Sequence, residues 1–324
     1  MRMKRWFACI LLCVGGNVWA GVLPPSVAHQ VLNQIKNAAE DLNYTGVYLY
    51  QRDAQVDTYE LVHIVDAKGV DERRESLDGP PKLMMRKNDD VMLFLPDAEV
   101  KHLKKNALTK LFPSLLPDDL DQLLGMYTLY QQANERVAGA DAKVYELHPK
   151  DDLRHGYKFW VHPHTALLIK AAMQTHDGQL IEQFSFTQYQ VHTKLSRDLL
   201  KPKVGRDDFA AYQQGALPKM QESATPNQAW EVRQVPLGFK LVKQAYRQVR
   251  QNAVSHWVFS DGLSNVSVFI APVDGKPVKK GLLRKKNGAI AVKVVGSTQI
   301  TVMGDVPDGT VLQLLEGIQP KVQR

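Results

Sequence analysis

Between Tyr44 and Val191 apolar and polar side chains alternate with a period of two, segment after segment. No other feature limits the fold as much, because a period of two commits the chain to strands whose faces differ. Tyr44-Thr45-Gly46-Val47-Tyr48-Leu49-Tyr50-Gln51 opens the series with apolar groups on both faces. A second run covers Tyr59 to Val65, and a turn at Asp66 to Gly69 leads into a third, Val70 to Leu77. Asp78-Gly79-Pro80-Pro81 stops that run. Lys82 to Arg86 and Val91 to Leu95 flank the polar turn Lys87-Asn88-Asp89-Asp90. Further strands are expected at Tyr127–Gln132 and Lys143–His148. Ala166 to Thr175 and Gln179 to Val191 enclose His176-Asp177-Gly178, and Asp-Gly is a strong hairpin signal. Phe184 and Phe186 share one face of the last strand. Roughly ten antiparallel strands in series close, half-close or fold into two layers.

Two stretches break the alternation. Val31, Ile35, Ala38 and Leu42 fall at helical spacing behind Pro24-Pro25-Ser26, which predicts an amphipathic helix capped by Ser26. Residues 106–124 are leucine-rich and divided by Pro113 and Pro117. One or two short helices are expected there, in a long connection covering an open sheet face.

The first twenty residues carry Arg2, Lys4 and Arg5, an apolar stretch from Trp6 to Gly16, and Val18-Trp19-Ala20 before Gly21. This reads as a secretory signal peptide (1–20) cleaved near Ala20. Its apolar run is too short to span a bilayer, and no later segment approaches ~20 apolar residues. Cys9 and Cys13 leave with the leader, so the exported chain is expected to be soluble, without disulfides or thiolate metal sites.

The remainder divides by composition. Lys201 to Pro226 holds Pro202, Gly205, Gly215, Pro218 and Pro226 among polar residues, with room for a short helical turn at Asp207–Gln213. The expected division is a large domain at 21–199, a linker at 200–226 and a small domain at 227–324. Residues 227–324 carry fourteen Lys/Arg against six Asp/Glu, while residues 21–226 are net acidic. In the small domain, strands are expected at Phe239–Ala245, Ser255–Phe259, Val266–Ile270, Ala289–Val295 and Gln299–Met303. A helix with Val311, Leu314, Leu315 and Ile318 on one face follows Asp308-Gly309-Thr310. An exported basic domain suits anionic lipid head groups or an acidic polypeptide rather than nucleic acid.

Catalytic patterns are missing. The sequence has no Gly-x-Ser-x-Gly elbow, phosphate-cradling glycine loop or His-Glu-x-x-His, and Asp118-Asp119, Asp151-Asp152 and Asp207-Asp208 read as solvated turn acids. His148, His155, His162, His164, His176 and His192 cluster, but Pro163 separates the central pair and no acid or cysteine completes a ligand set. No enzyme, cofactor or metal is expected. The basic run Lys276, Lys279, Lys280, Arg284, Lys285, Lys286 reads either as a solvated hairpin loop guarding a sheet edge or as a contact for phosphates or acidic side chains. Tyr44, Tyr48, Tyr50 and Tyr59 read as core, or as lining of an apolar groove if the sheet stays half-open. From the residues alone, this is an exported two-domain binding protein.

Several segments together resemble the RseB/MucB family of periplasmic regulators of the envelope-stress sigma factor. They are Tyr44 to Arg52, Arg73-Arg74-Glu75-Ser76-Leu77-Asp78-Gly79-Pro80-Pro81, and Asn88-Asp89-Asp90 with Leu95-Pro96-Asp97. Gly156-Tyr157-Lys158-Phe159-Trp160, Leu167-Leu168-Ile169-Lys170 and Asp177 to Phe184 continue the set. Leu237-Gly238-Phe239, Phe259-Ser260-Asp261-Gly262-Leu263 and Gly304-Asp305-Val306-Pro307 complete it. The chain departs from the family pattern at Val161 to Ala166, where relatives more often carry an acid and a glycine.

The resemblance implies a mainly β (α+β) fold. Its N-terminal domain would be a half-open antiparallel barrel similar to lipoprotein carriers, with helices in the concavity; a smaller antiparallel sheet with one helix would follow. It implies binding to the periplasmic segment of a single-span anti-sigma factor, shielding of that segment from its first proteolytic cut, and release on binding lipopolysaccharide or lipid. Self-association is left open. Chemistry, not a family motif, places acyl chains near Phe94, Leu111, Phe112, Leu115, Leu116 and Phe184, and anionic contacts at Lys279, Lys280, Arg284, Lys285 and Lys286. The alternative is a periplasmic lipid or lipoprotein carrier without regulatory role; an unrecognised hydrolase is the third reading.

Overall fold

The computed structural model describes residues 21–94, 101–104, 111–203, 229–249, 252–273, 278–285 and 288–321. Most of the expected linker, including Asp207–Gln213, and the leader lie outside the described residues.

The first half builds one twelve-stranded sheet. Its members are β1 (Gly21–Val22), β2 (Asn43–Arg52), β3 (Gln55–Asp66), β4 (Gly69–Ser76), β5 (Leu83–Lys87), β6 (Asp90–Phe94) and β7 (Lys101–Lys104). They continue as β8 (Tyr127–Val137), β9 (Ala140–Pro149), β10 (Gly156–Val161), β11 (Leu168–Gln174) and β12 (Leu180–His192). The order is β1-β8-β9-β10-β11-β12-β2-β3-β4-β5-β6-β7, every pair antiparallel, with β1 and β7 as separate edges. The sheet is therefore an open antiparallel array, one unclosed sheet among the arrangements that the strand count left open.

Helix α1 (Pro25–Asp41) buries Ala28, Leu32, Ile35, Ala38 and Ala39. Ser26 does not cap it: Pro24 occupies that position, no side chain caps the helix, and Pro25 starts the first turn. Proline fits there because its missing N–H would have had no helical partner. At the other end the Tyr44 hydroxyl donates to Ala39 O at 3.0 Å, satisfying a carbonyl of the last turn.

The leucine-rich connection yields one described helix, α2 (Leu120–Met126), and the described residues 111–117 form none. The Asp119 carboxylate accepts from Gln122 N at 2.8 Å, so one of the presumed turn acids is the N-cap. Residues 111–119 run irregularly; Phe112 is fully buried there, against Phe184 and Phe186.

Side-chain alternation separates two cores. On the inner face Tyr44, Tyr48, Leu61, Phe159 and Phe186 pack with α1 and Phe112. On the outer face Val62, Ile64, Leu83, Met85, Met92 and Phe94 pack under Leu200. Leu200 belongs to a 3₁₀ turn (Arg197–Leu200), which Arg197 ties to Asp66 and Asp71 at 2.7 and 2.6 Å. Arg73, 2 % exposed, donates to Glu60, Glu75 and Leu199 O, clamping that strap to β4.

A second sheet follows β13 (Trp230–Val232). It contains β14 (Lys240–Val249), β15 (Asn252–Ser260), β16 (Asn265–Pro272), β17 (Gly281–Lys285), β18 (Gly288–Val295) and β19 (Thr298–Gly304), in the order β14-β15-β16-β19-β18-β17. Helix α3 (Asp308–Gly317) buries Val311, Leu314 and Leu315 against Val268, Ile300 and Val302. The final strand, β20 (Ile318–Pro320), pairs with β13. Strands β1, β7 and β17 carry too few alternating apolar residues to announce themselves.

Candidate functional site

The inner face of the large sheet leaves a cleft of about 610 Å³. Leu115 and Leu116 from the 111–119 segment, Phe159 on β10, Met173 on β11 and Phe184 on β12 give it an apolar wall. Lys36 and Glu40 of α1, Arg86 of β5 and Ser114 give it a polar one. The last wall comes from the other sheet: Ser260 to Leu263, in the turn between β15 and β16, and Lys240 and Val242 on β14.

That turn is held rigidly. Asp261 Oδ1 accepts from the backbone of Leu263 and Ser264 at 3.0 and 2.7 Å, while Oδ2 faces Arg154 Nη1 at 2.9 Å. Arg154 also donates to Asp151 and to Leu237 O. Tyr157 and Ser264 hydroxyls lie 3.1 Å apart. Leu263 packs into the core of the large sheet, and Pro117 rests on Gly262, whose φ of +102° suits glycine. The cleft is thus shared by both halves of the chain.

Electrostatically, the inner face holds His63, Glu72, Arg74 and Arg86, all buried. Burial alone would raise the Glu72 carboxyl pKa; Arg74, by charge and hydrogen bond, with Arg86, brings it below the usual range. Burial pushes the His63 imidazole down, so it stays neutral. Tyr44 stacks on His63 at 4.6 Å.

The expected contact residues fall in different places. Leu115, Leu116 and Phe184 line the cleft. Leu111 and Phe112 are 3 % and 0 % exposed and support it from within the core. Phe94 stands apart, on the outer face with Met92 and Leu83 under the Leu200 strap. Its parity in β6 decides this: β6 pairs with β5, and Phe94 sits opposite Leu83. Tyr44 and Tyr48 are core, and Tyr50 and Tyr59 are half-buried around it.

The basic run is not a loop throughout. Lys279 and Lys280 are exposed before β17, Arg284 on that edge strand is exposed and pairs with Asp308 at 2.5 Å, and Lys285 pairs with Gly288. Lys276 and Lys286 lie outside the described residues. His162 and His164 rings are 5.9 Å apart, and His162 Nδ1 accepts from Thr165 N. Among the described residues no His, Cys, Asp or Glu group is placed to hold a metal. The turn ends on Ala166 at φ +59°, a conformation glycine adopts without strain.

Sequence reasoning missed Arg86, Glu40 and Asp261. The charges of Asp71-Glu72-Arg73-Arg74-Glu75 occupy both faces of one strand, which was a signal that neither face is simply apolar. Asp261 looked like a turn former only.

Comparison with known proteins bears on the whole chain. The MucB/RseB N-terminal domain family model matches residues 27–204, and the MucB/RseB C-terminal domain model matches 224–319. The sigma factor AlgU regulatory protein MucB of Pseudomonas aeruginosa is 27% identical, covering 96% of this chain and 97% of that protein. The sigma-E factor regulatory protein RseB of Haemophilus influenzae is 22% identical, over 90% and 91%. Among solved structures, the Pseudomonas aeruginosa MucA/MucB complex matches with a TM-score of 0.73 and 25% identity, covering 92% of this chain and 100% of that one. None of the described helices is long and apolar enough to cross a membrane.

Proposed function

This chain belongs to the MucB/RseB family, a family of regulatory proteins rather than enzymes, and from that membership we propose that it binds the periplasmic segment of a membrane-spanning anti-sigma factor. In this reading it works in the periplasm after losing residues 1–20. It shields the bound segment from the first of two proteolytic cuts, which keeps the sigma factor inactive. Lipid or lipopolysaccharide entering the cleft releases the partner. The carrying observation is the pair of family matches in chain order, with the related MucB solved as a complex with MucA.

The cleft supports the release step. Both halves of the chain contribute walls, so an occupant that alters how the large sheet meets the Ser260–Leu263 turn changes what the second sheet presents. Linkage then requires the partner to lower lipid affinity by the same factor that lipid lowers partner affinity. The cations Lys279, Lys280, Arg284, Lys285 and Lys286 supply attraction to phosphates or an acidic segment.

The test uses residues 21–324, the cognate anti-sigma periplasmic segment and its first protease. Protection that lipopolysaccharide relieves is expected. Protection insensitive to lipid removes the release step; no protection and no binding removes the regulator. Neutralising the five cations should weaken partner or lipopolysaccharide binding and flatten its salt dependence, and unchanged affinity at low salt would sink that role. The apolar wall also suits a lipid carrier, which co-purified lipid without partner binding would favour.

A further inference from the structure

The turn between β10 and β11 is closed by an imidazole nitrogen that carries no proton. His162 N donates to Leu167 O at 2.8 Å, and Ala166 N donates to His162 O at 3.1 Å. The His162 ring bends back over the turn, with Nδ1 3.1 Å from Thr165 N and 2.9 Å from Thr165 Oγ1. A backbone N–H only donates, so Nδ1 accepts and the proton of the neutral ring sits on Nε2. The side chain thus does what Asn or Asp does in many turns, but its acceptor titrates between pH 5 and 8.

The turn it closes is strained. Ala166 is held at φ +59°, a region that costs a residue with a Cβ free energy and persists only where the surroundings enforce it. The bond from the preceding residue, Thr165 N to His162 Nδ1, is part of that enforcement. His162 to Ala166 also form one wall of a groove of about 430 Å³. Across it stands the face of α1 that carries Gln34, Asn37 and Asp41. Lys36 and Glu40, also on α1, line the main cleft, so one helix separates groove from cleft.

Few charged or titratable groups surround the His162 ring. On its own turn the His164 ring stands edge-on at 5.9 Å, and from β12 the Tyr189 ring does the same at 5.9 Å. Asp41 of α1 and Lys143 and Tyr145 of β9 face the groove. Burial raises the phenol pKa of Tyr145 and of Tyr189, so both stay neutral here. Burial holds the His162 imidazole below its ordinary value, and the charge of His164 adds to the effect. By linkage, a closed turn that resists a proton is one that a proton opens.

We propose that His162 is an acid-operated latch: protonation at Nδ1 removes the acceptor of the Thr165 N–H, frees the His162–Ala166 turn from its strained form and widens the groove behind α1. The Thr165 hydroxyl can reverse and accept from the new N–H. The Thr165 backbone N–H then meets a second donor and loses its bond. Neither the partner nor the lipid of the proposed function enters this device, so its failure leaves that reading standing.

The experiment is NMR of isotope-labelled residues 21–324 from pH 7.5 to 5.0. It follows the His162 ring nitrogens and the protection of the Thr165 amide against solvent exchange, corrected for the intrinsic pH dependence of exchange. At pH 7.5 the ring should be the Nε2–H tautomer, identified by the signal that His162→Asn removes. Below about pH 6.5, Thr165 protection should fall by up to about tenfold per pH unit. His162→Asn puts Oδ1 in the place of Nδ1, an acceptor that does not titrate, and protection should then stay level. His162→Ala is the second variant, with low Thr165 protection expected at every pH. An Nδ1–H tautomer at pH 7.5 overturns the latch. So does protection that stays constant while the ring titrates, a fall that persists in His162→Asn, or wild-type protection in His162→Ala. A fall abolished by His164→Gln, with His162 in place, assigns the sensitivity to His164 and overturns it as well. Protection lost along all of β10 and β11 shows unfolding of the sheet and overturns a local device.

Discussion

Arg154 Nη1 and Asp261 Oδ2 lie 2.9 Å apart, both side chains fully out of solvent, and the pair joins the large sheet to the turn that closes the cleft. Arg154 also sits over the rings of Tyr127 and Phe239 at 5.8 and 5.3 Å, so residues from both sheets surround one guanidinium. Without Asp261 the Arg154 charge is still balanced by Asp151, but Arg154 Nη1 and the backbone N–H groups of Leu263 and Ser264 lose their buried acceptor, and such losses cost about 1–3 kcal/mol. Asp261→Ala should lower stability by that order in urea unfolding. It should also split the transition, with the second sheet unfolding first. A variant within about 0.5 kcal/mol of wild type would show that the pair does not couple the two halves.

His63 should make the protein acid-sensitive. Burial lowers its pKa below the ordinary 6.5, so the unfolded chain takes up a proton that the folded chain refuses. The stability linked to it is complete above about pH 6.5 and is lost as pH falls below that value, with a slope of up to about 1.4 kcal/mol per pH unit. Urea midpoints measured from pH 7.5 to 5.5 should fall on acidification. His63→Gln should flatten the slope, and an unchanged slope would assign the sensitivity to another group.

Local periodicity carried most of the fold, and parity and distance limited the rest. The hairpin at Asp177-Gly178 and helix α1 are where their spacing predicted, because a turn signal and an amphipathic face are local properties. Phe94 could not be assigned a face from its own strand, since a one-residue change in register sends every side chain to the other side. The polar wall was less legible still. Arg86 meets Glu40 across 46 positions and Arg154 meets Asp261 across 107, and no sequence pattern announces a pair of that kind. Leu115, Leu116 and Phe184 could be chosen on apolar character alone, which is the property a cleft wall shares with a core.

Gly46 marks a position where close approach, not a turn, requires glycine. A Cβ there would lie 2.6 Å from Phe186 Cε1 and 2.8 Å from Gln188 O, beside the register shift in the pairing of β2 with β12. Gly46→Ala must push Phe186 or the β12 backbone outward, at a cost of about 1–3 kcal/mol for overpacking. Thermal unfolding should show the loss, and Gly139→Ala, where nothing lies within 4 Å of the added carbon, serves as a comparison that reports only its φ of +84°.

Phe112 and Phe94 separate stability from cleft function. Both are 0 % exposed, so Phe→Ala at either site should cost about 3–5 kcal/mol. Their faces differ. Phe112 stacks on Phe184 with ring centroids 5.5 Å apart, directly behind the cleft wall, whereas Phe94 packs with Leu83 and Met92 on the outer face. Phe112→Ala should therefore release Phe184 and weaken binding of dodecanol by several-fold, the order expected for about 1 kcal/mol of lost apolar contact. Phe94→Ala, measured under conditions where both variants remain folded, should bind the probe as wild type does. A loss of affinity in both, or in neither, would mean that the inner wall formed by Phe112 and Phe184 is not what shapes the cleft.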